Sequence, residues 1–118
     1  CHGRLGQEAI RPLLTGAVYV NPSVAAEGFQ LTQLEALVAG AAVVSYDVGV
    51  ARELAASGVG HVDVVPPGDV RSLAAAAAEA VTATWPAPRR QQVRRWDWDT
   101  VAGAYAAVLE AARSGSAA

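Results

Sequence analysis

The sequence of 118 residues lacks lysine and methionine and has a single cysteine, Cys1. One cysteine cannot form an internal disulfide or a cysteine zinc cluster, so we expect a reducing, cytoplasmic setting. Nine arginines against eleven acidic residues give a net charge of −2, which is no basis for binding nucleic acid. Because the sequence begins with Cys1 rather than methionine, we expect a processed chain or a piece of a longer protein.

Long hydrophobic runs and metal-binding clusters are also missing. The longest stretch without a charged residue, residues 12–26, is interrupted by Gly16 and Pro22 and is shorter than a membrane span. His2 and His61 are far apart in the sequence and have no neighbours at metal-ligand spacing, so no metal cofactor is expected. Hydrophobic residues nevertheless make up 53% of the chain, which predicts a globular domain rather than a disordered one.

Short apolar runs alternate with helical patterns along the first 84 residues. Strands are predicted over residues 17–21, 42–46 and 61–65, and helices over residues 31–39, 51–57 and 70–84. Gly40 and Gly58 follow the first two helices and Asp69 precedes the third, as C-caps and an N-cap would. This order predicts an α/β fold with a parallel, partial Rossmann-like, doubly wound sheet. Because only three strands are found, and residues 1–15 predict only a loop and a short helix around residues 12–14, we expect the sheet to be truncated at its N-terminal side.

The last third of the chain has a different pattern. Residues 85–88 form a proline-containing linker, residues 89–95 predict a short basic helix, and Asp97 is placed to cap a last helix that runs to about residue 113. The basic segment carries Arg89, Arg90, Arg94 and Arg95. These arginines are interpreted either as a solvated surface paired with Asp97 and Asp99, or as a peripheral contact with an anionic membrane surface.

Two glutamates, Glu27 and Glu35, are separated by seven residues. On a helical wheel, Glu35 lies within about 60° of an apolar stripe. That stripe consists of Leu31, Leu34 and Val38. Since helical side chains lean toward the helix N-terminus, Glu35 is expected to point back toward the loop that carries Glu27. The alternatives are a capping box, in which Glu35 bonds the amide of Thr32, and a solvated loop position for Glu27.

The loop between the first strand and the next helix has the features of a ligand site. In open α/β sheets, ligands bind where a strand ends and a helix begins. Gly28 leaves the backbone accessible, and the amides around residues 29–32 are those of a first helical turn, which binds anions. Carboxylates accept hydrogen bonds from paired hydroxyls. The combination suits a sugar attached to a nucleoside diphosphate.

Residues 21–45, NPSVAAEGFQLTQLEALVAGAAVVS, resemble the signature of the retaining, family-4 glycosyltransferases of GT-B fold. The resemblance continues through residues 49–54, through residues 65–69 and into the closing helix, and so covers almost the whole chain. It implies that Glu27 is the catalytic carboxylate, close to the reacting face of the donor sugar. The other implied donor contacts are the amides of Gly28, Phe29 and Gln30 to the sugar, Leu31 and Thr32 facing the diphosphate, and Glu35 to the ribose hydroxyls. Gln30 stands where the family has glycine, and we expect it to crowd the loop or alter the sugar preference. Ala42 stands where the family has proline.

The resemblance also implies a function and a division of the chain. Residues 1–84 would be the nucleotide-sugar-binding segment, and residues 85–118 a linker and helices packing on it. The function implied is transfer of a sugar from a nucleoside-diphosphate donor, with retention and without a metal cofactor. Because the family's acceptor site belongs to an N-terminal domain missing from this sequence, we expect the chain to be inactive alone. The alternatives are a non-catalytic nucleotide-binding or interaction module, and a related sugar-nucleotide epimerase.

Overall fold

The computed structural model describes residues 3–25, 28–88 and 90–115. In chain order its elements are α1 (Gln7–Leu14), β1 (Val18–Asn21), α2 (Leu31–Ala39), β2 (Ala42–Tyr46), α3 (Ala51–Ser57), β3 (Val62–Val65), α4 (Val70–Thr82), α5 (Arg90–Val93), a 3₁₀ turn (Arg94–Trp96) and α6 (Trp98–Arg113). The three strands form one parallel sheet in the order β1-β2-β3. The predicted α/β class and partial Rossmann-like sheet are therefore confirmed.

The central strand β2 is covered on both faces, because all five of its residues are buried. One face packs with α2 and α3 into a first core, which contains Leu37, Val43, Leu54 and Val59. The opposite face packs with α4 into a second core, which contains Ala42, Val44, Tyr46, Leu73 and Ala80. A strand buried on both sides reads as a continuous apolar run, which is why β2 was predicted at its observed bounds.

The predicted caps are confirmed. Gly40 and Gly58 end α2 and α3 with φ of 95° and 68°, in the left-handed region that glycine adopts without steric cost. Asp69 precedes α4 and accepts hydrogen bonds from the amide and the hydroxyl of Ser72, at 3.0 and 2.7 Å. These contacts, led by the bond from the amide, lower the pKa of the Asp69 carboxyl.

The first helix differs from the prediction. It spans Gln7–Leu14 and contains Pro12 in its interior, whereas the sequence predicted only a short helix around residues 12–14. Proline has no N–H to donate and is disfavoured inside helices, so Pro12 obscures in the sequence a helix that begins five residues before it. Thr15 closes the helix instead, with its amide and hydroxyl both donating to the carbonyl of Arg11 at 3.2 and 3.1 Å.

The segment after α4 begins packed and ends exposed. The indole of Trp85 lies against the second core and donates to the carbonyl of Gly40 at 3.2 Å. Val93 and Trp96 pack against the first core. By contrast, α6 has no buried residue, and Trp98 at its start is 81% exposed. Across residues 3–25, 28–88 and 90–115, no helix is long and apolar enough to cross a membrane.

We expect Asp69→Ala to lower the melting temperature by about 3–6 °C at neutral pH, because the α4 N-cap is lost. A carboxyl whose pKa is lowered by folding stabilises the protein fully above its unfolded-state pKa, about 4, and stops doing so as pH falls through the lower folded-state value. The difference between wild type and variant should therefore shrink below about pH 4. Thermal melts across pH test this, with Asp69→Asn as a control that cannot titrate. An unchanged difference in acid would contradict it.

Candidate functional site

The candidate site lies at the edge of the sheet where β1 and β2 end and α2 begins. Asn21 is the last residue of β1, and α2 starts at Leu31. The connecting loop contains Gly28 and Phe29, which are both exposed. Glu27, predicted to be the catalytic carboxylate, lies outside the described residues. Its distance from Glu35 therefore stays a prediction.

The first amides of α2 differ in whether they are bonded to backbone carbonyls. Gln30 adopts φ −83° and ψ 86°, and the amide of Leu31 donates back to the carbonyl of Phe29 at 3.1 Å, which is the geometry of an inverse γ-turn. The amide of Gln33 donates to the carbonyl of Gln30 at 3.1 Å. Within the described part of the chain, no backbone carbonyl accepts from the amide of Thr32. Such a helix start favours anionic groups.

The capping-box interpretation of Glu35 is wrong. Because α2 begins at Leu31, Thr32 is inside the helix rather than at its cap. Its hydroxyl accepts a hydrogen bond from the hydroxyl of Tyr19 at 3.1 Å. Gln30 occupies the cap position and makes no side-chain cap bond. Glu35 itself is exposed and forms no hydrogen bond or ion pair within residues 3–25, 28–88 and 90–115.

The buried face of α2 is also not the one predicted. Gln33, Ala36 and Leu37 face the sheet. Two residues of the stripe expected to be buried point outward instead, with Leu31 57% and Val38 38% exposed. The third, Leu34, is half-buried and packs against the first core. The sequence LTQLEALVA is apolar on nearly every side, so its periodicity does not select one face. Glu35 therefore lies beside the exposed side chains of Leu31 and Val38, not against the core.

A cavity of 390 Å³ lies between α1 and α2, and Glu35 is part of its wall. Its apolar walls come from Ile10, Leu14, Leu34, Val38 and Ala39. Arg11 is the other charged residue that lines it. The sequence did not identify Arg11, because helix α1 was not expected to extend that far. Apolar walls with few polar groups are typical of sites that bind small organic molecules.

Beneath the loop, four buried polar side chains form a network. Asn21 and Ser45 are register partners in β1 and β2, and the Asn21 side-chain amide donates to Ser45 Oγ at 3.3 Å and to Gln30 Oε1 at 2.8 Å. The Gln33 side-chain amide donates to the same two oxygen atoms, and its distance to Ser45 Oγ is 3.3 Å. Gln33 and Ser45 are fully buried. Gln33 Oε1 is buried without a hydrogen-bond partner in the described part of the chain.

On its outer side the loop contacts the segment after α5. The rings of Phe29 and Trp96 lie 4.9 Å apart, centroid to centroid, and are tilted by 52°. Arg95 lies over the Trp96 ring at 4.9 Å and pairs with Glu53 at 3.5 Å. Of the predicted basic patch, Arg89 is outside the described residues. Arg95 was expected to pair with Asp97 or Asp99, but it pairs with Glu53. Neither aspartate forms an ion pair with an arginine side chain that the structure describes.

The remaining titratable groups near the strand ends form surface pairs. At the end of β2, Asp47 pairs with Arg52, whose Nε donates to Asp47 Oδ1 at 2.6 Å; this bond raises the pKa of the Arg52 guanidinium. His61 pairs with Asp63 at 2.9 Å. Among residues that the structure describes, no three histidines, cysteines or carboxylates lie together as a metal site would require. His2 lies outside them.

Comparisons with known proteins found a matching family model and several relatives. The model of the family described as "Glycosyl transferases group 1" matches residues 1–83. A phosphatidyl-myo-inositol mannosyltransferase of Mycobacterium leprae is 36% identical over 106 residues, which is 84% of this chain and 28% of that protein. Its counterpart in Mycobacterium tuberculosis strain H37Rv is 35% identical, over 79% of this chain and 27% of its own length. The chain thus spans about a quarter of these relatives. No significant match to a solved structure was found.

We expect Glu35→Ala to change the free energy of unfolding by less than about 0.5 kcal/mol, because Glu35 is exposed and has no partner in the fold. Thr32→Val should cost about 0.5–1.5 kcal/mol, because the Tyr19 hydroxyl loses its acceptor. Urea denaturation measures both. Tyr19→Phe is the matched control and should add little to Thr32→Val. If Glu35→Ala lowered the free energy of unfolding as much as Thr32→Val does, the result would support the capping-box interpretation.

Proposed function

The chain belongs to the glycosyl transferases group 1 family, and we propose that it supplies the part of a retaining glycosyltransferase that binds a nucleoside-diphosphate sugar. The observation that carries this proposal is the position of Glu35. It is an exposed carboxylate without a partner among the described residues, it lies on a cavity wall, and it is one turn from the open start of α2. The carboxylate suits the ribose of a nucleotide, the apolar cavity suits its base, and the N-terminus of the helix suits its phosphates.

The nucleoside would occupy the cavity between α1 and α2. Glu35 would accept hydrogen bonds from the ribose hydroxyls, which a charged acceptor binds more strongly than a neutral one. The apolar side chains of Ile10, Leu14 and Val38 would contact the base. This placement gives a reason for the exposure of Val38, since a ligand rather than the core covers it.

The diphosphate and the sugar would follow along the loop. Leu31 and Thr32 would face the diphosphate, where the partial positive charge of the α2 N-terminus is concentrated. The amides of Gly28, Phe29 and Gln30 would contact the sugar, on the exposed side of the loop. A metal ion is not required in this scheme, because backbone amides and the helix dipole take up the phosphate charge.

Glu27 would act close to the reacting carbon. In the reaction we propose, the bond between the anomeric carbon and the diphosphate breaks and its electron pair goes to the leaving phosphate. The acceptor hydroxyl oxygen then bonds to that carbon from the same face, and the leaving phosphate takes the hydroxyl proton. Glu27 would stabilise the positive charge that develops on the sugar, without serving as a nucleophile.

The substrates to test first come from the relatives, which are named for mannosyl transfer to phosphatidyl-myo-inositol. We therefore propose a mannosyl donor and a lipid acceptor of that type. Residues 1–84 would bind the donor, residues 85–118 would support that segment, and the acceptor would bind to a further domain. The whole enzyme would contact the surface of the membrane that contains such a lipid.

Titration calorimetry with UDP, GDP and ADP, each with and without an attached sugar, tests the donor site. We expect one nucleotide to bind and Glu35→Ala to weaken it by about 10- to 100-fold, because hydrogen bonds to a charged acceptor are lost. Glu79→Ala, which removes an exposed carboxylate from α4 on the opposite face, is the matched control and should bind as wild type. Absence of binding by every nucleotide would refute the proposal in favour of a module that only packs against a partner.

The 118-residue chain alone should transfer no sugar, because the acceptor would have no binding site on it. Incubation with the nucleotide sugar that binds, a phosphatidylinositol acceptor and a product assay by mass spectrometry measures this. Transfer by the chain alone would contradict the proposed division of the enzyme. Interconversion of the nucleotide sugar without an acceptor would indicate an epimerase instead.

A further inference from the structure

The side chain of Gln30 is turned into the protein, although its neighbours on both sides are exposed. Gln30 is 7% exposed, whereas Phe29 and Leu31 are 41% and 57% exposed. Its Oε1 accepts hydrogen bonds from the side-chain amides of Asn21 and Gln33. The family resembled by the sequence has glycine here, so a glutamine was expected to crowd the loop or alter sugar preference. The structure places its side chain beneath the loop instead.

The partners of Gln30 are themselves fixed. Asn21 is the last residue of β1, and it also donates to Ser45 Oγ, in the neighbouring strand, at 3.3 Å. Ser45 Oγ donates in turn to the carbonyl of Tyr46 at 2.9 Å. Buried polar groups that lose a partner carry the full cost of their desolvation. Gln30 is thus attached directly to the end of β1, and through Asn21 and Gln33 to Ser45 in β2.

The two halves of the candidate donor site are held by different contacts. Thr32 is part of α2 and is bonded to Tyr19, so the amides facing the diphosphate are fixed by the helix. Gly28 and Phe29 precede the helix and are attached to it through the inverse γ-turn at Gln30. A glycine at that position would have no side-chain anchor and a wider range of φ and ψ. The direction of the amides that precede Gln30 thus depends on its side chain.

We propose that Gln30 is a positioning residue for the donor sugar: anchored by Asn21 and Gln33, it holds the amides of Gly28 and Phe29 in the orientation that receives the sugar. This inference rests on the proposed function. The Gln30 side chain does not touch the donor, and its effect is confined to the sugar, because the nucleoside diphosphate is bound by Glu35 and the start of α2.

The test compares two affinities in the same variant, measured by calorimetry. One is for the nucleoside diphosphate that binds best among UDP, GDP and ADP, and the other is for the same nucleotide with its sugar attached. Gln30→Met keeps the side-chain volume but removes the acceptor. It should weaken binding of the sugar nucleotide by about tenfold while changing binding of the diphosphate by less than about twofold. Asn21→Ser breaks the anchor from the strand side and should reproduce this selective loss if Gln30→Met does not fold.

Gln91→Met is the matched control, since Gln91 is exposed on α5, and it should leave both affinities unchanged. A purely structural role would lower the melting temperature of Gln30→Met and Asn21→Ser but leave the ratio of the two affinities at the wild-type value, which would overturn the inference. If wild type binds no nucleotide, the proposed function fails and this inference fails with it. If wild type binds the nucleotide but Gln30→Met leaves the ratio of the two affinities unchanged, only the role of Gln30 is refuted.

Discussion

The pairing register of β1 and β2 is the constraint on which the site depends. It sets Asn21 beside Ser45 at the ends of two parallel strands, and the start of α2 lies above them. On this face of the sheet the core changes from apolar at Val43 to polar at Ser45. A slip of one residue would exchange the two faces of β1 and replace Asn21 by an apolar neighbour. The loop would then lose its attachment to the strand end.

Burying a polar network in this place costs desolvation free energy, which indicates that the network has a role beyond packing. Gln33 is fully buried and leaves Oε1 without a partner in the described part of the chain, although an apolar side chain would satisfy packing at less cost. Hydrophobic contacts are non-directional, whereas amide hydrogen bonds fix an orientation. The same helix exposes Leu31 and Val38 on its other side. α2 thus uses its inner face to fix the loop and its outer face to form the cavity wall that contains Glu35.

The bounds of β2, α2 and α3 followed from local signals, namely a continuous apolar strand and glycines at the two helix ends. What could not be predicted depends on contacts between distant residues. The rotation of α2 about its axis is selected by the sheet, because LTQLEALVA is apolar on nearly all sides. Helix α1 was obscured by Pro12, and with it the cavity and Arg11. The inward orientation of Gln30 is determined by Asn21, nine residues earlier, and no propensity of glutamine indicates it.

The loop is held from the outer side as well, by a residue that the family model does not reach. That match ends at residue 83, yet Trp96 packs on the first core and its ring meets that of Phe29. Aromatic pairs of this geometry stabilise beyond the area they bury. Phe29 is thus attached outward to Trp96, while the next residue, Gln30, is attached inward to Asn21. Two consecutive side chains that are held in opposite directions leave the backbone between them little freedom to rotate. Because Trp96 holds one of the two, the segment after the linker helps to support the site.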